Sequence, residues 1–325
     1  MQTTDKPLYT LGVDIGGTKI ETAMVDAAGV IVASHYRLID PAKDPDRTIL
    51  DILDSTQICC QQAGRSAAAI GVGVAGQIDK TRGVVRRSPN LPNWRDVELG
   101  AGLKAKLGIP VSINNDVRVI TWGEWQHGAG RGMNDLVCLF VGTGVGGGVV
   151  SGGHLLEGYN NTAGELGHTT IVTGGRQCHC PNEGCLEAYC GGWAIAERAQ
   201  DAAQANPGAG KTLVELAGTP DKITAITVSQ AYAKGDPLAQ RLIKDTARYL
   251  AAGLVNIVNI FNPQLIILGG SVIQGLPDLA VLAEKRVRAM ALPTPIIDLR
   301  ITMAALGNQA GVIGAAALAR ELVAK

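Results

Sequence analysis

Between residues 165 and 187 the chain reads ELGHTTIVTGGRQCHCPNEGCLE. Cys178, Cys180 and Cys185 are spaced C-x-C-x4-C, with His168 upstream. Thiols seldom crowd in this way without a metal or a disulfide. Three thiolates and one imidazole complete a tetrahedral zinc shell with no open position, the form of a structural site. His179 or Cys190 could stand in for one of the four ligands. Such a centre would pin Glu165 and Glu187 beside His168, which suggests a clamp for polar groups on a small molecule.

Two glycine turns suggest a second chemistry. Asp14 precedes Gly16, Gly17, Thr18 and Lys19, and further on Gly142, Thr143 and Gly144 open a run of glycines that continues to Gly148. Glycine is needed where backbone N–H groups must come close to phosphate oxygens, because a Cβ would block the approach. Two such turns, each with a threonine hydroxyl, suit a triphosphate held between two lobes. Asp14 adds a carboxylate where Mg²⁺ would sit, since that ion takes one or two carboxylates with phosphates and waters. Neither turn fits GxxxxGK[ST]. Asp116 stands where a strand meets a helix. It could be an N-cap, or the carboxylate that takes a proton from a hydroxyl during phosphoryl transfer. A helix N-terminus would keep it ionised.

The elements that must position these residues follow from periodicity. Strands are expected over 8–13, 20–25 and from residue 30, with the first glycine turn joining the first two. Helical spacing covers 46–62. A buried strand runs over 69–74, a loop over 88–94, a helix over 99–107 and a strand over 111–113. Asn114, Asn115 and Asp116 then cap a helix that ends near His127. The pattern restarts with a strand over 136–141, a glycine turn over 142–148 and a strand over 149–156. Strand, Gly/Thr turn and strand therefore occur twice, which reads as two similar domains. Helices follow over 192–203, 228–233 and 237–261, the last with Pro237 in its first turn and Asp236 as cap. A strand over 264–268 opens into Gly269 and Gly270. A helix, a strand over 297–303 and an alanine-rich helix from residue 310 close the chain.

Composition limits the partners. The chain has 325 residues, 46% hydrophobic and 18% charged, with 29 basic and 29 acidic side chains. A balanced charge gives no electrostatic footprint for nucleic acid or a membrane surface. Seven cysteines, three of them in the cluster, favour a reducing compartment over a disulfide scaffold. The first residues lack the basic and apolar regions of a signal peptide. The best membrane-span candidate, 249–261, is broken by Asn256 and Asn259. A cytoplasmic location is expected.

Together these residues resemble the ROK family of sugar kinases and repressors, within the actin-like ATPase superfamily. Asp14 to Lys19 is similar to the family's first phosphate motif and Gly142 to Gly148 to its second. Leu268, Gly269 and Gly270 resemble its adenosine-side turn. Gly164 to His168 resembles its ExGH element, and Cys178 to Glu187 its CxCGxxGCxE element. The resemblance implies an α/β chain of the actin-like ATPase (ribonuclease H-like) fold, with two α/β domains flanking a cleft. One would span 1–118 and be rejoined by a final helix over 310–325; the other would span 119–309 and carry the zinc loop. It implies ATP-dependent phosphorylation of a hexose at its 6-hydroxyl with Asp116 as base. Asn90, Asn115, Asp116, Glu165, His168 and Glu187 would bind sugar hydroxyls, and His168 would serve both zinc and sugar. Magnesium would arrive with ATP, zinc would be structural, the lobes would close on the sugar, and the protein would be a homodimer or larger.

Two positions depart from the family pattern. Pro181 replaces a glycine, which could redirect the loop between Cys180 and Cys185. Cys190 stands where a small residue is usual. Family repressors carry a helix-turn-helix before the first phosphate motif; Asp14 lies close to the start here, so a kinase is expected. The stretch Ser88 to Trp94, SPNLPNW, resembles the glucokinase branch, so glucose is the first expectation. N-acetylmannosamine or N-acetylglucosamine is the alternative, followed by a non-catalytic sugar sensor. Polyphosphate users of the family generally lack the cysteine cluster.

Overall fold

The computed structural model describes residues 8–40, 42 and 44–324; the reading of residues 1–7 as free of a leader lies outside them. The chain opens with a meander of β1 (Thr10–Ile15), β2 (Lys19–Val25) and β3 (Ile31–Leu38), followed by α1 (Pro45–Ala63) and β4 (Ile70–Val74). Next come β5 (Gln77–Asp79), β6 (Val84–Arg87), β7 (Arg95–Val97), α2 (Leu99–Leu107), β8 (Val111–Asn115) and α3 (Asp116–His127). A second hairpin, β9 (Leu136–Val141) and β10 (Val145–Ser151), ends in the short β11 (His154–Leu155). Helices α4 (Glu187–Cys190), α5 (Gly192–Ala205), α6 (Lys211–Ala217), α7 (Ala225–Ala233) and α8 (Pro237–Phe261) lead to β12 (Leu265–Gly269). The chain finishes with α9 (Ser271–Gly275), α10 (Pro277–Met290), α11 (Pro293–Ile296), β13 (Arg300–Met303) and α12 (Ala310–Arg320).

Two compact units result. The first holds Met1–Gly132, Leu155–Ala163 and Ala304–Lys325; the second holds Met133–His154 and Gly164–Met303. The five-stranded sheet of the first has the order β3-β2-β1-β4-β8, and that of the second β11-β10-β9-β12-β13. In each, the central strand pairs antiparallel with its hairpin partner and parallel with the strand on its other side. This is the actin-like ATPase fold class. Strand β4 is buried at every position and β12 likewise, as parallel strands covered on both faces must be. Helix ends follow their caps. Asp44 accepts from the Arg47 N–H with Pro45 at N1, and Asp236 accepts from the Ala239 N–H with Pro237 at N1.

The first unit is built on α12, whose residues Ala310 to Ala319 are all buried. Its small side chains let the backbone press onto the sheet. A Cβ on Gly12 would stand 1.8 Å from the Val312 carbonyl oxygen, and one on Gly71 would stand 1.9 Å from that of Ala315. On the other flank, a Cβ on Gly314 would meet the Val119 carbonyl of α3 at 1.9 Å. Through these contacts α12 packs on the sheet of the first unit and on α3. The first segment of this unit runs through α3 to Gly132, which keeps α3 beside α12.

Three local expectations are corrected. The second glycine turn spans only Gly142 to Gly144, and Gly146 to Gly148 belong to β10, where a Cβ on Gly147 would stand 2.5 Å from Leu166. The last strand begins at Arg300, after a helical turn over Pro293–Ile296. Strand β8 extends to Asn115, so Asn115, not Asp116, is the N-cap of α3. The sheet β5-β6-β7 has no counterpart in the sequence reading. No helix among the described residues is long and apolar enough to cross a membrane.

Candidate functional site

In the first unit the candidate residues gather where parallel strands end. Asp14, Gly73 and Asn114 are in register across β1, β4 and β8, about 4.8 Å per strand. Loops beyond the carboxyl ends of such strands are where α/β sheets hold ligands. Asp14 is part-buried, and a Cβ on Gly311 in the first turn of α12 would lie 2.6 Å from its Oδ2. Burial first, then the Asp116 carboxylate, pushes the Asp14 carboxyl up to about 7, against a lowering pull from Lys19. A group poised there suits a cation arriving with phosphate. Gly16 closes the β1–β2 turn by donating to the Lys19 carbonyl at 2.9 Å, and Thr18 at its tip is exposed. Lys19 reaches Glu21 at 3.4 Å. Asn90 lies over this turn, 3.4 Å from where a Cβ on Gly17 would be.

Asp116 opens α3 without capping it. The Asn115 side-chain oxygen accepts the N–H groups of Val117 and Arg118 at 3.0 and 3.3 Å, and its amide donates to the Gly76 carbonyl at 3.2 Å. Gly76 itself has φ +126°, and a Cβ there would strike the Arg87 carbonyl at 2.1 Å. Asn115 thus spends its amide on holding the first turn of α3, the turn that carries Asp116. Sequence reasoning missed Arg118. It is 3% exposed and donates to the carbonyls of Asn161 and Ala163, strapping Leu155–Ala163 to α3. Asn161 adds bonds to Ile78 and Asn114, and Glu157 pairs with Lys80. Nothing in the spacing of those residues announces the strap.

In the second unit, His168, Cys178, Cys180 and Cys185 bring their ligand atoms within 4.8 Å of one another. Cys180 and Cys185 sulfurs are 3.6 Å apart, and His168 Nδ1 lies 3.7 Å from Cys178 Sγ. A tetrahedron with Zn–S bonds of about 2.3 Å has edges of roughly 3.8 Å, so the donor set fits zinc. Burial pushes the Cys178 thiol up to about 12, so its thiolate would need a cation beside it. The alternative ligands stand apart from the cluster. The His179 ring stacks on Trp193 at 3.9 Å, and Cys190 is buried with its sulfur 3.7 Å from the Thr246 carbonyl. Pro181 leaves the knuckle closed, because Gln177 reaches the carbonyls of Cys178, Cys180 and Asn182, and Cys178 N–H donates to Asn182.

Around that centre stand Glu165, exposed at the start of the turn Leu166–His168, and half-buried Glu187, the first residue of α4. Glu187 Oε2 accepts the Val145 N–H at 2.7 Å, while Oε1 lies 3.9 Å from Cys178 Sγ. The Gly142–Gly144 turn and the Gly269–Gly270 turn sit side by side at the ends of β9 and β12, with Gly142 facing Ser271. Gly270 has φ +90° and no room for a Cβ beside Val141.

Comparison with known proteins matches the chain to one family. The model of the ROK family matches residues 10–322. A glucokinase of Streptomyces coelicolor is 36% identical over 96% of this chain and 98% of its own length. The crystal structure of a ROK family glucokinase from Streptomyces griseus, in complex with glucose and AMPPNP, superposes with a TM-score of 0.81 at 34% identity, covering 96% of this chain and 99% of that one. A xylose repressor of Bacillus spizizenii is 28% identical over 96% of this chain and 77% of its own length. The chain belongs to the ROK family.

Proposed function

We propose that this protein transfers the γ-phosphoryl group of ATP to the 6-hydroxyl of a hexose, with glucose as the preferred sugar. The observation that carries this reading is Asp116, a carboxylate in the first turn of α3 directly beyond the carboxyl end of β8, whose charge helps to raise the pKa of Asp14. Phosphoryl transfer asks little covalent chemistry of a protein. It needs a base for the hydroxyl proton, aligned reactants and neutralised phosphate charge. Asp116 takes the proton. Asn90, Glu165, His168 through Nε2, and Glu187 through Oε1 hold the sugar hydroxyls. Asn115 acts chiefly by fixing Asp116.

Gly16, Gly17, Thr18 and Lys19, with Gly142, Thr143 and Gly144, receive the phosphates, and Gly269 and Gly270 the adenosine side. Asp14 would face the Mg²⁺ that travels with ATP. His168, Cys178, Cys180 and Cys185 would hold Zn²⁺, which supplies order to the loop and has no open position for chemistry. The preference for glucose is supported by the loop Ser88 to Trp94. It is fixed from within by Leu91 and Trp94, both 0% exposed, and by the Trp94 N–H on the Leu91 carbonyl at 2.9 Å. The glucokinase relatives support the same choice.

The family also contains repressors, so the test must separate turnover from sugar binding. Asp116→Asn should lower kcat for ADP release about a thousand-fold while glucose affinity by calorimetry stays within a few-fold. A native chain that binds glucose yet releases no ADP would point instead to a non-catalytic sensor.

A further inference from the structure

The metal loop reaches further than the sugar clamp. The metal loop and the start of α5 beyond it hold the Gly142–Gly144 turn at four points. Glu187 Oε2 accepts the Val145 N–H at 2.7 Å and occupies the space beside Gly144, where a Cβ would come within 2.4 Å of it. Gly167, next to the ligand His168, packs so closely that a Cβ would stand 1.9 Å from the Val145 carbonyl oxygen. Gly192 and Trp193 open α5 and donate their N–H groups to the Gly142 and Thr143 carbonyls at 2.8 and 3.2 Å. Trp193 in turn carries the stacked ring of His179, which lies between the ligands Cys178 and Cys180.

These contacts lead from the cysteine cluster to the turn by contiguous packing and hydrogen bonds. The Cys178 sulfur touches the Glu187 carboxylate, and Cys185 leads within two residues into α4, whose first residue is Glu187. Leu186 between them is locked against α8, where a Cβ on Gly253 would meet it at 2.6 Å. The N–H that follows the turn is held by Glu187 and two of the turn's carbonyls by the start of α5, which α4 joins to the metal loop, so the turn's shape depends on that loop staying ordered.

We propose that the Cys₃His centre sets the shape of the nucleotide turn as well as the sugar clamp, with Glu187 as the positioning residue, so that metal and nucleotide binding are thermodynamically coupled. The inference rests on the reading of Gly142–Gly144 as a nucleotide turn. Coupling between two binding sites is reciprocal. Nucleotide must strengthen metal binding by the factor by which metal strengthens nucleotide binding.

The experiment uses the full zinc-loaded chain without sugar. Zinc affinity is measured by competition with a buffered chelator in the absence and presence of saturating ADP. ADP affinity is measured separately on zinc-loaded and zinc-depleted protein. We expect ADP to raise zinc affinity about five-fold or more, with an equal weakening of ADP binding on zinc depletion. ADP that binds the loaded chain without changing zinc affinity overturns the inference and leaves the kinase reading standing. Failure of the loaded chain to bind ADP removes the reading of the turn, and the inference with it. Glu187→Ala, loaded with zinc, should lose most of the coupling. A role for Glu187 confined to sugar would leave sugar-free ADP affinity unmoved, and full coupling in this variant overturns its part as the positioning residue.

Discussion

The sheets of the two units share one strand order, yet their first hairpins bring charge to the turn in different ways. In the first unit the carboxylate is on the strand itself, Asp14, two residues before Gly16. In the second, the position two residues before Gly142 is Phe140, and the carboxylate arrives from Glu187, held against Val145. The first arrangement uses an acid whose pKa is raised by burial first and then by the Asp116 carboxylate. The second uses a carboxylate whose place depends on a neighbouring cysteine cluster. Their support differs as well. The first sheet is covered by α12 at backbone distance, through Gly12 and Gly71. In the second unit β9 and β12 share a core with the large side chains of α8, among them Leu250 and Leu254. The same half-fold can therefore be stabilised by close backbone approach or by side-chain volume. Close approach has a consequence for the site, since it brings Gly311 against Asp14.

The contrast is broken most severely at the cluster. Cys180→Ser removes one ligand from a centre of a kind whose occupancy is worth on the order of 10 kcal/mol in small zinc domains. The variant should lose stoichiometric zinc by metal analysis, and glucose affinity should fall about 10- to 100-fold with it. Unchanged glucose affinity in a zinc-free chain would show that Glu165 and Glu187 do not depend on the metal.

A smaller effect sharpens the difference in support. Gly71→Ala would place a Cβ 1.9 Å from the Ala315 carbonyl oxygen, forcing α12 off the sheet. It should cost about 3 kcal/mol in denaturant unfolding. A loss below about 1 kcal/mol would mean that α12 is free to shift.

Part of this comparison is legible in the sequence. The cysteine spacing and the twice-repeated strand, glycine turn and strand are local patterns, and local patterns survive without coordinates. What decides the rest is distant or depends on where an element stops. Asn115 and Asp116 are both plausible caps, and only the full length of β8 assigns the task to Asn115. Glu187 and Val145 meet across a chain separation that no periodicity encodes. Strands β6 and β7, reading VVRR and RDV, are too short and too charged to alternate. The glycines of α12 and β1 look permissive in sequence, whereas the packing makes them obligatory.

A third expected effect concerns pH. In the unfolded chain Asp14 titrates near 3.8, and in the ligand-free fold near 7. Below pH 4 both states hold the proton. Between about 4 and 7 the unfolded chain gives it up while the fold retains it, so this residue's contribution to stability declines as pH rises through that window. Asp14→Asn removes the dependence. The Tm of the variant minus that of the native chain should increase from pH 4 to pH 7 and then level off. A difference that stays flat would show that Asp14 is ionised throughout.

The central claim is hexose phosphorylation from ATP, and the most direct measurement is ADP release with ATP and Mg²⁺ across glucose, mannose, fructose, allose, N-acetylglucosamine and N-acetylmannosamine. The account predicts turnover with a clear preference for glucose in kcat/KM. Preference for an acetamido sugar would keep the chemistry and contradict the reading of Ser88 to Trp94. Absence of turnover with every sugar, in protein that carries zinc and binds glucose, would contradict the account itself.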